Sequence, residues 1–156
     1  MNKNHEDYMQ LALIQAQLAA DMDEVPVGAV LITDDGQVFS AHNAPINKHD
    51  ATCHAEIEVI RKTSASIGNY RLLNSILYVT LEPCLMCAGA IIHARVGTVV
   101  YGAEDNKTGA VSSLYQVLSD KRLNHQPHII SGILQDECSQ QLRAFFKAKR
   151  LKKKNA

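Results

Sequence analysis

Blocks of apolar and polar residues along the chain predict helices that alternate with short strands. Residues 8–19 are largely apolar over a helical length, and the acidic stretch at 21–24 marks the end of this first helix. An apolar, β-branched run at 27–33 and a second run at 38–42 are separated by a turn sequence at 34–36. This arrangement predicts a helix followed by a β-hairpin.

The remainder of the chain predicts further strands and helices in alternation. The strands are expected at 76–81, 98–101 and 128–134, and the helices at 54–62, 84–94, 113–118 and 136–149. Asp50 or Thr52 can cap the helix at 54–62, and Pro83 suits the first position of the helix at 84–94. Strands separated by helices indicate a layered α/β domain in which helices cover a sheet.

Length and composition are those of one compact domain. The chain has 156 residues, 46% hydrophobic and 21% charged, and domains typically span roughly 100–150 residues. No linker or repeat divides it, so we expect residues 1–156 to form a single domain. No apolar stretch approaches the roughly 20 residues of a membrane span. Residues 1–7 lack the pattern of a secretory signal, so we expect a cytoplasmic protein.

The charges are unevenly distributed along the chain, although the formal net charge is zero. Residues 1–60 carry ten acidic and two basic side chains, whereas residues 61–156 carry six acidic and fourteen basic ones. Six of the basic residues lie within 147–154. This basic tail, about 147–156, is typical of a nucleic-acid contact, but lysines that complement a helix dipole would give the same pattern.

Cysteine and histidine spacing predicts a metal site. In a chain without a signal peptide, the Cys84–Cys87 pair is typical of metal binding or redox chemistry. Three residues apart on a helix, the two thiols face nearly the same side and can reach one ion. With His54 they make three ligands, which leaves the fourth position of tetrahedral zinc open for water.

Glu56, two residues after His54, is the candidate proton carrier. It can take a proton from the water and deliver it to a ring nitrogen and a leaving amine, which is hydrolytic deamination. The pattern His-x-Glu followed by Pro-Cys-x-x-Cys is the known signature of zinc deaminases. Cys53 could be a fourth ligand or a redox thiol, but we interpret it as a small buried side chain. We interpret Glu82 as a side chain that anchors nearby backbone or meets water rather than a second acid.

On these motifs the sequence resembles the bacterial tRNA-specific adenosine deaminases, a family within the zinc-dependent cytidine and deoxycytidylate deaminase superfamily. The resemblance covers roughly residues 5–150. The segments that support the resemblance are residues 24–30, 49–50, 54–57, 69–72, 77–91, 100–103, 107–110, 124–125 and 145–146. It implies conversion of adenosine to inosine at the wobble position of transfer RNA, in particular an arginine tRNA with an ACG anticodon.

The resemblance also implies a structure and a set of roles. The expected fold is a three-layer α/β/α cytidine-deaminase-like fold with a mainly five-stranded mixed sheet, assembled as a homodimer. His54, Cys84 and Cys87 would hold one Zn²⁺ per subunit, and Glu56 would move the proton. The residues expected to contact the anticodon loop of the tRNA are Asn43, Asp105, Lys107 and Phe146. Ala44, Ala51 and Cys53 depart from the family pattern, which affects tRNA contacts at the pocket mouth but not the chemistry.

Two other functions share parts of this pattern. A deaminase of a free base or nucleotide, such as cytosine, cytidine or guanine, would use the same metal chemistry. A non-catalytic, zinc-stabilised RNA-binding subunit would keep the ligands but would not need Glu56 as a proton carrier.

Overall fold

The computed structural model describes residues 3–155. Met1, Asn2 and Ala156 belong to the predicted domain, and Ala156 also to the predicted tail at 147–156, but these three lie outside the described residues.

A five-stranded mixed sheet forms the centre of the molecule. Its strands are β1 (Gly28–Ile32), β2 (Val38–His42), β3 (Ile76–Leu81), β4 (Thr98–Ala103) and β5 (His128–Ile130). They lie in the order β2-β1-β3-β4-β5. Strand β1 is antiparallel to β2 and to β3, whereas β3, β4 and β5 run parallel to one another. The predicted hairpin and the mixed five-stranded sheet are therefore confirmed.

Helices cover both faces of this sheet. They are α1 (His5–Asp21), α2 (Ala55–Ile67), α3 (Leu85–Ala94) and α4 (Gln135–Lys154), and a short 3₁₀ helix spans Val117–Ser119. Two apolar cores result, because successive side chains of a strand point to opposite faces. Leu77 and Val79 of β3 pack with α2 and α3, whereas Tyr78 packs with α1 and α4. The three-layer α/β/α arrangement is confirmed.

No helix within residues 3–155 combines the length and the apolar character needed to cross a bilayer.

Several predicted boundaries are wrong, and each error has a local cause. The predicted helix at 113–118 shrinks to Val117–Ser119, because the N–H groups of Leu114 and Val117 donate to the carbonyls of Gly109 and Ala110 instead of following the helical pattern of four residues. The predicted strand at 128–134 ends at Ile130, before Gly132 turns the chain with a positive φ. The tail predicted at 147–156 is helical through Lys154, because α4 continues beyond residue 149.

The start of α2 also differs from the prediction. His54, not Asp50 or Thr52, is the residue that precedes the helix. The Asp50 carboxylate instead accepts hydrogen bonds from the backbone and hydroxyl of Thr52. At its other end α2 runs past residue 62 to Ile67, where Gly68 adopts the left-handed conformation that ends many helices. Pro83 likewise lies one residue before the cap of α3 rather than inside the helix.

Candidate active site

The starts of α2 and α3 lie close together, and each carries a donor atom for a metal. His54 immediately precedes α2 and Cys84 immediately precedes α3, both with extended backbone. Cys87 lies buried in the first turn of α3. The free N–H groups and the positive dipole end of α3 stabilise thiolates at this position.

The three donor atoms are spaced for a tetrahedral ion. His54 Nδ1 lies 3.6 Å from Cys84 Sγ and 3.5 Å from Cys87 Sγ, and the ligand atoms of the group all lie within 4.8 Å of one another. Zinc forms bonds of about 2.3 Å to sulfur and about 2.0–2.1 Å to nitrogen. At tetrahedral angles these bonds place a bound nitrogen and a bound sulfur about 3.6 Å apart. The residues present therefore fit such an ion.

The two thiols differ electrostatically. A hydrogen bond from Cys87 lowers the pKa of the Cys84 thiol, against the opposing effect of burial, and His54 adds to this lowering. The same pairing raises the pKa of Cys87, because its proton is held by Cys84. Hydrogen bonding between the two sulfurs and to His54 therefore favours negative charge at the donor group.

Glu56 lies in the first turn of α2, beside the donor group and removed from solvent. Burial raises the pKa of its carboxyl group to about 7. Its Oε1 atom is buried and has no hydrogen-bond partner among the described residues. Because an unpaired buried oxygen is costly, this atom is placed to meet a water molecule or a substrate group at the donor site.

A cavity of about 280 Å³ opens onto the donor group. One of its walls is formed by the start of loop 43–50 and the other by loop 105–113. The residues that line it are Val25, Val27, Asn43, Pro45, His54, Glu56, Leu81, Glu82, Cys84, Asp105 and Thr108. The structure thus brings two of the four predicted substrate-contact residues, Asn43 and Asp105, to the cavity that holds Glu56.

Asn43 and Asp105 are held differently at this cavity. Asn43 is buried, and its Nδ2 donates to the Val25 carbonyl at 3.2 Å. The Asp105 carboxylate accepts hydrogen bonds from the backbone N–H of Lys107 and of Thr108 and from the Thr108 hydroxyl. Asn43 therefore presents a fixed amide to the cavity, whereas the Asp105 carboxylate shapes its own turn.

Lys107 and Phe146, the other two predicted contacts, lie in a separate groove of about 610 Å³ between loop 105–113 and α4. The groove is lined by Lys107, Leu142, Arg143, Ala144, Phe146, Lys147 and Arg150. The Phe146 ring is 43% exposed and contacts the Phe145 ring edge-on. We call this surface the basic groove, because every charged side chain that lines it is cationic.

Sequence reasoning missed the role of Glu24. This residue is fully buried, and its carboxylate accepts the backbone N–H groups of Ile46 and Asn47 and the Asn47 side-chain amide. It thereby anchors loop 43–50, the wall that carries Asn43. The anchored residues lie more than twenty positions away, so no local pattern identifies the contact.

The other acidic residue at the cavity, Glu82, contacts loop 105–113, and its interpretation as a backbone anchor is confirmed. Cys53 is buried, as interpreted from the sequence, and does not belong to the donor group. Cys138 is also buried, in the core between the sheet and α4.

Comparison with known proteins identifies the chain as a deaminase. The sequence profile of the MafB19-like deaminases matches residues 3–150. A tRNA-specific adenosine deaminase from Haemophilus influenzae is 48% identical over 150 residues, which is 96% of this chain and 87% of that protein. A protein with the same name from Bacillus subtilis is 44% identical over 97% of this chain and 94% of its own length.

A solved structure agrees with these relatives. A tRNA:A34 deaminase superposes with a TM-score of 0.83 at 45% identity, and the match covers 86% of this chain and 98% of the other. That structure belongs to work on A-to-I editing at the wobble position of transfer RNA.

Proposed function

Because this chain belongs to the tRNA-specific adenosine deaminase family, we propose that it hydrolyses adenosine to inosine at wobble position 34 of a transfer RNA. The observation that carries the proposal is the donor group of His54, Cys84 and Cys87 beside the unpartnered Glu56 carboxyl oxygen. Water replaces the exocyclic amine of the purine, and ammonia leaves.

We assign the donor group to zinc. One imidazole nitrogen and two sulfurs favour zinc over magnesium or calcium, which prefer oxygen ligands. Three protein donors are typical of catalytic zinc, which keeps one position open. When bound, zinc supplies the Lewis acidity that makes a water molecule nucleophilic near neutral pH. We expect His54, Cys84 and Cys87 to hold one zinc ion per chain.

Glu56 is the proton carrier in this proposal. Its position beside the donor group and its unpartnered Oε1 suit a carboxylate that accepts a proton from the attacking water. It then delivers protons to the purine ring nitrogen and to the departing amine. Glu56 also favours an enzyme over a non-catalytic RNA-binding subunit, because such a subunit does not need a buried acid beside the donor group.

We expect the cavity and the basic groove to contact different parts of the substrate. A base in an anticodon loop must leave its stack to enter a cavity, at a cost of a few kcal/mol. We expect Asn43, which its bond to Val25 fixes, to hydrogen-bond the flipped base, and we expect Asp105 to bound the same cavity. Lys107 and Phe146 in the basic groove contact the anticodon loop outside the cavity, where cations offset the cost of flipping.

The same proposal includes a homodimer in the cytoplasm. Transfer RNA is used in the cytoplasm, which supports that location. Leu85, Leu114 and Tyr115 are 55%, 51% and 53% exposed, and large apolar side chains left in water support a subunit contact. Sedimentation equilibrium should give a mass near twice 17.2 kDa, and a mass of one chain would contradict the dimer.

The function is tested by offering an anticodon stem-loop with the anticodon ACG beside free adenosine, cytidine and guanine. Inosine should form only at the wobble position of the stem-loop, as measured by mass spectrometry of the digested RNA. A matched stem-loop that keeps the wobble adenosine but changes the other two anticodon positions tests the assignment to arginine tRNA. Turnover of the free bases or nucleosides alone would overturn the proposal in favour of a small-molecule deaminase.

A further inference from the structure

Loop 105–113 is held by a single buried carboxylate. Glu82 follows β3 and is 2% exposed. Its Oε1 accepts the N–H of Asp105 at 3.0 Å and the hydroxyl of Ser113. Its Oε2 accepts the N–H groups of Val111, Ser112 and Ser113 at 3.0, 2.9 and 3.0 Å. Five donors from one loop therefore converge on one side chain.

The same loop is tied to the segment that carries a donor of the metal site. Cys84 and Gly109 form an isolated antiparallel bridge, and the N–H of Ala110 donates to the Pro83 carbonyl at 2.9 Å. A Cβ atom at Gly109 would collide with the Glu82 carboxyl group and with the Asp105 carbonyl. Glycine at this position is what lets the loop approach the carboxylate so closely.

Glu82 and Glu56 both line the cavity, but they differ in how many hydrogen bonds their carboxyl groups accept. A carboxylate has about four lone-pair positions, and five donors already engage those of Glu82. It has no free position with which to take a proton from substrate. Glu56 instead has one oxygen, Oε1, without a hydrogen-bond partner within residues 3–155. Glu82 therefore has the geometry of a group that fixes other atoms in place.

We propose that Glu82 is a positioning residue for the substrate: it fixes the Asp105–Thr108 wall of the cavity at the distance from the donor group that the bound nucleotide requires. This role rests on the proposed function, because the wall is assigned to the nucleotide there. We call the five hydrogen bonds that Glu82 accepts from this loop the clamp. Removal of the clamp lets the wall move without removing any group that reacts.

Glu82→Gln is the first test, because glutamine keeps the shape but replaces one acceptor oxygen with an NH₂ group that faces N–H donors. We expect KM for the anticodon stem-loop to rise on the order of tenfold or more, because a wall that is no longer fixed must be ordered when the nucleotide binds. We expect kcat to stay within about threefold, since the lost contact acts alike on ground and transition states. The zinc content per chain should not change.

Gly109→Ala disturbs the same hydrogen bonds from the side of the loop. The added methyl group displaces the loop from Glu82 while the carboxylate stays in the chain, so KM should rise in the same way. Ser113→Ala is the mildest variant, because it removes one of the five donors and should raise KM by a smaller factor. If Glu82→Gln does not accumulate as folded protein, these two variants carry the test.

Glu104→Gln is the matched control, because Glu104 is exposed and lies directly before the loop. It removes the same charge without touching the clamp. Loss of an acidic charge strengthens binding of an anionic substrate, so a rise in KM cannot arise from charge alone. The KM of this variant should stay equal to that of the wild type or fall.

Amide hydrogen exchange reports the clamp directly. In Glu82→Gln, the amides of residues 105–113 should exchange faster, while those of α2 should not change. This readout, together with the KM increase at unchanged kcat, supports the positioning role.

Two outcomes overturn the positioning role. A fall in kcat at unchanged KM would make Glu82 a catalytic acid or base. A lower folded fraction with wild-type KM in all three variants would make it a purely structural residue. Failure of the proposed function is distinguishable, because it appears as absent turnover of the stem-loop by the wild-type protein.

Discussion

The donor site and the basic groove are built on opposite principles. His54, Cys84 and Cys87 are fixed by the first residues of two helices that pack on the sheet, and Glu56 beside them is buried. The groove along α4 is lined by long, exposed cationic side chains around the ring of Phe146. The donor site is therefore set by backbone and packing, whereas the groove depends on charge and on exposed side chains.

This difference determines how each region responds to change. A preorganised, buried site loses most of its effect when one group is removed, because no neighbour can replace that group. A surface of several cations loses its effect in small steps, each sensitive to salt. The predictions below test this contrast, from the largest expected effect to the smallest.

Removal of Glu56 should have the largest effect. Glu56→Ala should lower kcat by on the order of 10²–10⁴, which is the usual contribution of a general acid or base, while zinc stays bound. Inosine formation and metal content are measured on the same preparation. Glu58→Ala is the matched control, because Glu58 lies on the same helix and pairs with Lys48 instead. A Glu56→Ala protein with a rate close to that of the wild type would refute its role as proton carrier.

Loss of a sulfur ligand should lower metal content and activity together. Cys84→Ala and Cys87→Ala should each release zinc, because two donors hold the ion much less firmly than three. Cys53→Ala should keep both metal and activity, because this buried thiol lies outside the donor group. Inductively coupled plasma mass spectrometry measures the difference. Full zinc content in Cys84→Ala, or loss of zinc in Cys53→Ala, would contradict the assignment.

The basic groove should respond to salt rather than fail outright. Wild-type affinity for the stem-loop should fall steeply between low and moderate salt. In a Lys147→Ala/Arg150→Ala double variant, the slope of log affinity against log salt should decrease by about one per lost phosphate contact. Lys3→Ala, at the far end of the chain, should leave the slope unchanged. A flat salt response of the wild-type protein would remove the groove from RNA binding.

The smallest expected effect concerns the anchor of the other cavity wall. Burial opposes the ionisation of Glu24, but hydrogen bonds from Asn47 and Ile46 outweigh it and lower the pKa of the carboxyl group below 4.5. A carboxyl whose pKa is lower in the folded state stabilises the fold at pH values above its unfolded pKa. That stabilisation is lost as the pH falls through the folded pKa.

Glu24→Gln should therefore be less stable than the wild type near neutral pH, and the difference should narrow as the pH falls below about 4.5. Urea unfolding at several pH values measures it. Glu104→Gln is the control, because it makes the same substitution at an exposed acid and should not reproduce this pH dependence. A stability difference that does not vary with pH would show that the Glu24 charge has no such role.

The donor site was predictable because its information is local. Cys84 and Cys87 lie three residues apart after a proline, and His54 lies two residues before Glu56. Such spacings do not depend on the exact helix boundaries. The sequence therefore predicted that these residues lie together, although both predicted helix starts lie one residue before the observed ones. The strand β3 was predictable for the same reason, because its six residues form a short, largely apolar run.

The walls of the cavity were less predictable because their contacts are long-range. Glu24 binds residues more than twenty positions away, and Lys107 and Phe146 meet in one groove although 39 positions separate them. Local propensity also failed at 113–118, where the N–H of Val117 donates to the distant Ala110 carbonyl instead of a carbonyl four residues back. The single domain over residues 1–156 and the homodimer remain predictions.

The most direct measurement is the metal content of the protein compared with its rate of inosine formation on the stem-loop. We expect one zinc ion per chain at full activity. Chelation should remove zinc and activity together, and added zinc should restore both. Fully active protein that contains no transition metal would contradict the account.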